Sequence, residues 1–272
     1  LKTSCISFKF AYKDKTKISP MKAEIPITWF DSIDSTNSEA RRRLPANAKM
    51  SVYAAKFQTA GRGQRGNKWS SAAGQNLTFS VLLNFTHPQM PDLAVRNQFL
   101  LSIVASLSVS DLLRKLNIRN TIKWPNDIYI GRRKVCGMLI ENIVGNTGLE
   151  HSIIGIGLNL NQTEFPPELV NPTSVLVSSG LRTVPEEVLD DFLDIFSGYM
   201  PYLSDIEGIN EIRNKYVSRL FGLGVSREYH DCLRNVDFTG TIKGISEEGQ
   251  LLMEMPDKTV TNYSFKEVSY II

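Results

Sequence analysis

The stretch from Lys123 to Asn142, "KWPNDIYIGRRKVCGMLIEN", decides how this chain is read. It opens too polar for a core strand and closes too apolar for a loop. Pro125 holds the residue before it in extended geometry and donates nothing to a ladder, so a strand must stop there or lie at an edge. Asn126 and Asp127 then stand as polar groups at a fixed strand end. Gly131, Arg132 and Arg133 make a hairpin turn between "DIYI" and "KVCGMLIENIV". Lys134 opens the second strand, and Gly137 removes a side chain three positions later. A solvated lysine at a strand start is the plain reading of Lys134. Beside a missing side chain, however, a ligand can reach the backbone while the ammonium neutralises its negative end.

Working upstream, "TIKW" reads as a short strand, and residues 92–116 carry apolar positions at helical spacing. "NLTFSVLLNF" (76–85), "SVYAAKF" (51–57) and "IPITWFDSI" (25–33) read as strands. Thr36 with Glu39 fits a capping box that opens a helix, with Ala40 and Leu44 on one face. Downstream, "EHSIIGIGLNLNQ" (150–162) is a further strand. A connection rich in Pro, Ser and Thr (163–185) leads to helical segments at 186–203 and 207–221. After Gly222 the texture changes to short alternating segments separated by polar turns, which suggests a small β-barrel. The expected organisation is a weakly ordered leader (1–24), a main domain (25–222) and a β-rich tail (223–272).

Composition narrows the function. The chain has 272 residues, 42% hydrophobic and 22% charged, with a net charge of +3, ordinary for a globular protein with a core. That charge is too small and too dispersed for non-specific nucleic-acid binding. The longest apolar run, from Phe99, is broken by serines and Asp111, and reads as a buried helix rather than a membrane span. Cys5, Cys136 and Cys232 lack paired spacing, and His87, His151 and His230 are scattered. Neither a disulfide framework nor a zinc site is implied, and a reducing cytoplasm suits the chain.

"GRGQRG" (61–66) is a glycine-rich loop with two guanidiniums, suited to phosphates and carboxylates. It lacks the ending of a P-loop and the helix of a dinucleotide fingerprint. A flexible surface loop with a taste for RNA is the plain alternative. In "GIGLNLN" (155–161), two glycines precede Asn159 and Asn161 on one face, and buried amides need partners.

Taken in order, D-S-T-N, Q-T-A-G-R-G-x-R-G-N-x-W, K-W-P-N-D, R-K-x-x-G-x-L-I-E and G-I-G-x-N-x-N resemble the biotin protein ligases. The motifs run from about Trp29 to Asn161, and the β-rich tail looks like that family's terminal barrel. No helix-turn-helix pattern precedes them, which is similar to the family's non-repressor class. The resemblance implies an α+β fold: a mixed, mainly antiparallel sheet flanked by helices, like class II aminoacyl-tRNA synthetases, with a C-terminal barrel of Src-homology-3 type. It also implies a reaction in which biotin and Mg-ATP give biotinyl-adenylate, which a lysine of a biotin carboxyl carrier domain then attacks. It admits a homodimer and implies no DNA or membrane partner.

By matching positions, Lys134 and Arg62 are the implied catalytic cations. The resemblance puts biotin against Ser35, Thr36, Asn37, Gln58, Gly61, Arg62, Gly63, Gln64, Trp69, Lys134 and Gly137. The nucleotide falls to Arg62, Arg65, Trp69, Lys123, Asn126, Asp127, Lys134 and Asn159. Mg²⁺ would be held mostly by phosphates and water. One position departs: Gln64 stands where bacterial relatives carry arginine, which shifts retention of the anionic adenylate onto Arg65. Lipoate and octanoate transferases share the fold but lack K-W-P-N-D and the tryptophan after the glycine loop. A non-enzymatic RNA-binding or adaptor protein would need a basic stripe or aromatic platform.

Overall fold

A computed structural model describes residues 25–146 and 148–271, so the expected leader lies outside the described residues. Strand β1 (Ile27–Phe30), helix α1 (Thr36–Arg42) and strand β2 (Met50–Ala55) form a crossover unit, and the two strands pair in parallel. Then come β3 (Leu77–Asn84), α2 (Phe99–Lys115), β4 (Thr121–Lys123), β5 (Asp127–Ile130), β6 (Arg133–Val144) and β7 (Leu149–Leu158). They complete a seven-stranded sheet of order β1-β2-β3-β7-β6-β5-β4, antiparallel everywhere except β1–β2.

Period-two alternation gives the sheet two different faces. Val52, Ala54, Phe79, Val81, Ile154 and Ile156 point to the main core, where α2 and α4 (Pro185–Tyr199) pack. The opposite face carries Tyr53, Leu82 and Ile153, which α1 covers through Ala40. Further along that face the registers Leu139↔Gly155 and Gly137↔Gly157 place glycines side by side, which leaves room for side chains from other segments to lie against the sheet.

Two local readings need correction. The cap of α1 is Ser35, one residue earlier than expected, and Glu39 pairs with Arg42 and Arg43 instead of closing a capping box. Helix α2 starts at Phe99, not residue 92. A short 3₁₀ turn at Val95–Asn97 precedes it, and Leu100 through Ser110 are buried, so no polar stripe marks its ends.

Helices α3 (Val175–Ser179) and α5 (Ile206–Ser218) lead to the C-terminal strands. These are β8 (Ser226–Asp231), β9 (Val236–Ile245), β10 (Leu251–Glu254), β11 (Val260–Tyr263) and β12 (Val268–Tyr270). They form an antiparallel sheet of order β11-β10-β9-β8-β12, and no pairing between β11 and β12 closes it among the described residues. Its buried residues Tyr229, Ile242, Leu251 and Met253 belong to the same hydrophobic cluster as α2 and Trp124. Trp124 Nε1 donates to Gly249 O at 2.9 Å, and Tyr216 Oη to Pro125 O at 2.7 Å. Trp124 thus faces the C-terminal sheet, while Pro125 is held by α5. No helix among the described residues is long and apolar enough to cross a membrane.

Candidate functional site

A cavity of about 880 Å³ lies on the glycine-bearing face of the large sheet. Its floor is made by Gly137, Gly155 and Gly157. The sequence suggested that missing side chains admit a ligand to the backbone, but much of the space they open is taken by the protein itself. A Cβ at Gly157 would lie 2.2 Å from the Trp69 ring, and one at Gly155 would lie 2.0 Å from Asn37 Oδ1. At Gly137 it would lie 3.0 Å from both Trp69 Cζ3 and Lys134 Nζ. The glycines therefore seat three side chains against the sheet, and the ligand space opens above those side chains.

At one end, the start of α1 brings Ser35, Thr36 and Asn37 to the cavity. Gln58 Oε1 accepts from Thr36 N at 2.7 Å and from Thr36 Oγ1 at 3.2 Å, which leaves the Gln58 amide nitrogen as its spare group. Ser80 Oγ, fully buried on β3, lies 2.8 Å from Thr36 Oγ1 and 2.6 Å from Asn37 Oδ1. Asn37 Nδ2 donates to Glu141 Oε2 at 2.9 Å. Sequence reading missed Ser80 and gave Glu141 no role. Their signal was the alternation that places Ser80, Gly155, Leu139 and Glu141 on one face.

The glycine loop folds back on itself. Gly63 N donates to Asn67 O at 2.7 Å, Trp69 N to Gly61 O at 3.0 Å, and Arg62 bridges to Lys68. Gly61 is needed by the loop, since a Cβ there would lie 2.3 Å from Trp69 O. It does not line the cavity, whereas Arg62, Gly63, Gln64 and Trp69 do. Arg62 was expected to meet the ligand's anionic end. Instead its Nη1 and Nη2 bind the two Glu141 oxygens at 3.1 Å each. Gln64 Nε2 donates to Asn126 Oδ1 at 3.2 Å and to Met138 O at 3.1 Å, so it ties the loop to K-W-P-N-D and to β6. The Arg65 side chain lies outside the described residues.

At the other end, Lys134 Nζ pairs with Asp127 Oδ1 at 2.8 Å, both half-buried in the cavity wall. The Lys134 backbone pairs with Asn171 and Thr173, drawing residues 168–172 over the cavity, where Glu168, Leu169, Val170 and Pro172 line it. Sequence reading took that segment for a connection. Asn159 lines the same end, and its Nδ2 donates to Thr173 O at 3.0 Å. Asn161, by contrast, is spent on the backbone of Thr183.

Lys123 and Asn126 do not line this cavity. Asn126 faces a second one of about 650 Å³, between the sheets, which shares Gln64 and Leu139 with the first. The Lys123 ammonium sits 5.2 and 5.0 Å from the ring centres of Tyr129 and Tyr270. Burial pulls its pKa below the ordinary lysine value, against the opposing charge of Asp127. Burial also works to raise the Glu141 carboxyl, but the Asn37 amide and the guanidiniums of Arg62 and Arg41 outweigh it and hold the group below its ordinary value. Among the described residues no group of three His, Cys, Asp or Glu could hold a metal ion.

Residues 29–159 match the Biotin/lipoate A/B protein ligase family. The chain is 33% identical over 233 residues to the biotin–[acetyl-CoA-carboxylase] ligase of Paracoccus denitrificans, covering 82% of this chain and 92% of that protein. It is 31% identical to the bifunctional ligase/repressor BirA of Escherichia coli, over 82% of this chain and 67% of that one. Among solved structures, the Aquifex aeolicus biotin protein ligase in complex with biotin and ATP aligns with a TM-score of 0.72 at 29% identity. That alignment covers 90% of this chain and 97% of the other.

Proposed function

The chain belongs to the biotin/lipoate A/B protein ligase family, and on that premise we infer that it is a biotin–protein ligase. It activates biotin with ATP as biotinyl-adenylate and transfers the biotinyl group to a lysine of a carrier protein. The observation that carries this reading is the order of groups along one cavity. Neutral donors and acceptors at the start of α1 and Gln58 stand at one end, the Trp69 ring lies across the middle, and the Lys134–Asp127 pair stands at the other.

The chemistry follows from that order. A carboxylate is a poor electrophile, and its approach to the α-phosphate sets two negative groups together. Lys134 offsets that repulsion and stabilises charge on the oxygens as pyrophosphate leaves. Asp127 keeps the lysine in place until substrate arrives. Thr36, Asn37 and Gln58, with Ser35, receive the ureido ring, and Trp69 packs against the tail. Asn159 and residues 168–172 face the nucleotide. Mg²⁺ would come with ATP and be held by its phosphates and water, supplying positive charge against the phosphates. In the second step the neutral amine of the carrier lysine attacks the acyl carbon, and AMP departs.

In this reading the chain divides near residue 222, the C-terminal strands form the family's small barrel, and the partner is a biotin carboxyl carrier domain. Intact-mass analysis of such a domain tests the activity. One biotinyl group should be gained on one lysine, only with biotin and ATP together. No gain, or an equal gain of lipoyl groups from lipoate, would overturn the reading.

A further inference from the structure

Glu141 is the carboxylate at the far end of the cavity face of β6, two positions beyond Leu139 and four beyond Gly137. Its side chain is only 17% exposed, so a charge there is costly unless it is paired. Four donors meet it: Arg62 Nη1 and Nη2 at 3.1 Å, Asn37 Nδ2 at 2.9 Å and Arg41 Nη2 at 3.3 Å. The Arg62 contact is a fork-on-fork pair, the geometry that fixes direction as well as distance.

This pair has consequences on both sides. Toward the loop, Arg62 bridges to Lys68, the neighbour of Trp69, so holding Arg62 holds the hairpin that lays the Trp69 ring on Gly137 and Gly157. Toward α1, Glu141 fixes Asn37, which continues through Ser80 and Thr36 to Gln58. Arg62 is meanwhile kept away from Lys134. The Lys134 ammonium reaches Gly137, and four strand positions separate that point from Glu141, roughly 13 Å at about 3.3 Å per residue. In this arrangement Arg62 and Lys134 cannot grip one phosphate together.

We propose that Glu141 is the positioning residue of the glycine loop, and that Arg62 acts on the ligand through Glu141 rather than as a second cation at its anionic end. The proposal rests on the biotin-ligase reading for its kinetic consequences but not for the latch itself. Arg62 and Glu141 are then one device toward the loop, and losing either partner releases it; losing Glu141 also frees Asn37. The variants Arg62→Gln and Glu141→Gln should each raise KM for biotin about tenfold, the effect of one charge-assisted contact, with kcat within about twofold. The double variant should be no worse than the poorer single one. Glu141→Asp should recover part of the loss.

A second measurement needs no substrate. Trypsin should cut the ligand-free full-length protein at Arg65 or Lys68 several-fold faster in both single variants, with melting temperature checking that each is folded. The proposal is overturned if the two effects multiply in the double variant, or if Arg62→Gln lowers kcat strongly while Glu141→Gln does not. Unchanged loop cleavage in the folded variants overturns it as well. Should the wild type bind no biotin, the functional reading fails, and the cleavage comparison still decides the latch.

Discussion

The floor of the cavity and the loop above it hold their side chains by opposite means. The floor is set by strand alternation: Gly137, Gly155 and Gly157 lie on one face because their neighbours Met138, Ile154 and Ile156 belong to the core on the other. The loop has no core of its own. Short backbone pairings and the side chains of Arg62 and Gln64 attach it to β6 and to Asn126. Errors on the floor are steric and abrupt, whereas errors in the loop are polar and graded.

The largest effect expected is on the floor. Gly157→Val would drive its Cβ into a ring 2.2 Å away, so Trp69 must leave its seat. Overpacking of this kind costs roughly 1–3 kcal/mol, and here the loss falls on the ligand site. Biotin affinity, read by calorimetry, should fall by about two orders of magnitude while the protein still melts cooperatively. Unchanged affinity would break the comparison, because the floor would then not be defined by its glycines.

In the loop, Gln64→Ala removes donations to Asn126 and Met138, roughly 1–3 kcal/mol together. Biotin should still bind, but adenylate should escape faster. Labelling of a bystander lysine-rich protein by enzyme, biotin and ATP should rise about tenfold. A loss of binding as abrupt as that of Gly157→Val would show that loop and floor are one unit. Gln64→Arg sharpens the point: if hydrogen bonding rather than charge retains the adenylate, arginine should leak more than glutamine.

The third effect is on pH. The folded Glu141 carboxyl lies below its ordinary value, so its pairing contributes fully above the unfolded value and is lost as pH falls through the depressed folded one. The stability advantage of the wild type over Glu141→Gln, read by denaturant unfolding across pH, should therefore be full above the ordinary glutamate value and shrink as pH falls below it toward the depressed folded one. A difference between the two proteins that does not change with pH would mean the carboxyl is not held by Arg62 and Asn37.

The smallest effect belongs to a residue outside both regions. Lys123 rests on two tyrosine rings, a gain offset by its burial. Lys123→Met should shift stability by no more than about 1 kcal/mol and leave KM for ATP unchanged. A several-fold rise in KM for ATP would bring Lys123 back to the nucleotide.

What could be read in the sequence follows the same division. Strands β2, β3, β6 and β7 were legible because their alternation is local, and Lys134 and Gly137 stood out within one of them. Ser80 and Glu141 were not, because their importance lies in the register Ser80↔Gly155↔Leu139, which joins residues far apart in the chain. The role of residues 168–172 was equally hidden, since it depends on Lys134 pairing with Asn171 across the chain. Trp124 and Pro125 read as the edge of a site, yet Trp124 also anchors the C-terminal strands through Gly249, and Pro125 anchors α5 through Tyr216. A short motif reports that a position is constrained. It does not say which neighbour constrains it.

Biotin-dependent exchange of labelled pyrophosphate into ATP probes the central claim, that one cavity activates biotin with Lys134 as the cation at its anionic end. The wild type should exchange with biotin and not with lipoate. Lys134→Ala should lose exchange by about 10²–10³-fold, the range seen when one transition-state donor is removed, while keeping its fold. Exchange by Lys134→Ala at the wild-type rate, or equal exchange with lipoate, would contradict the account.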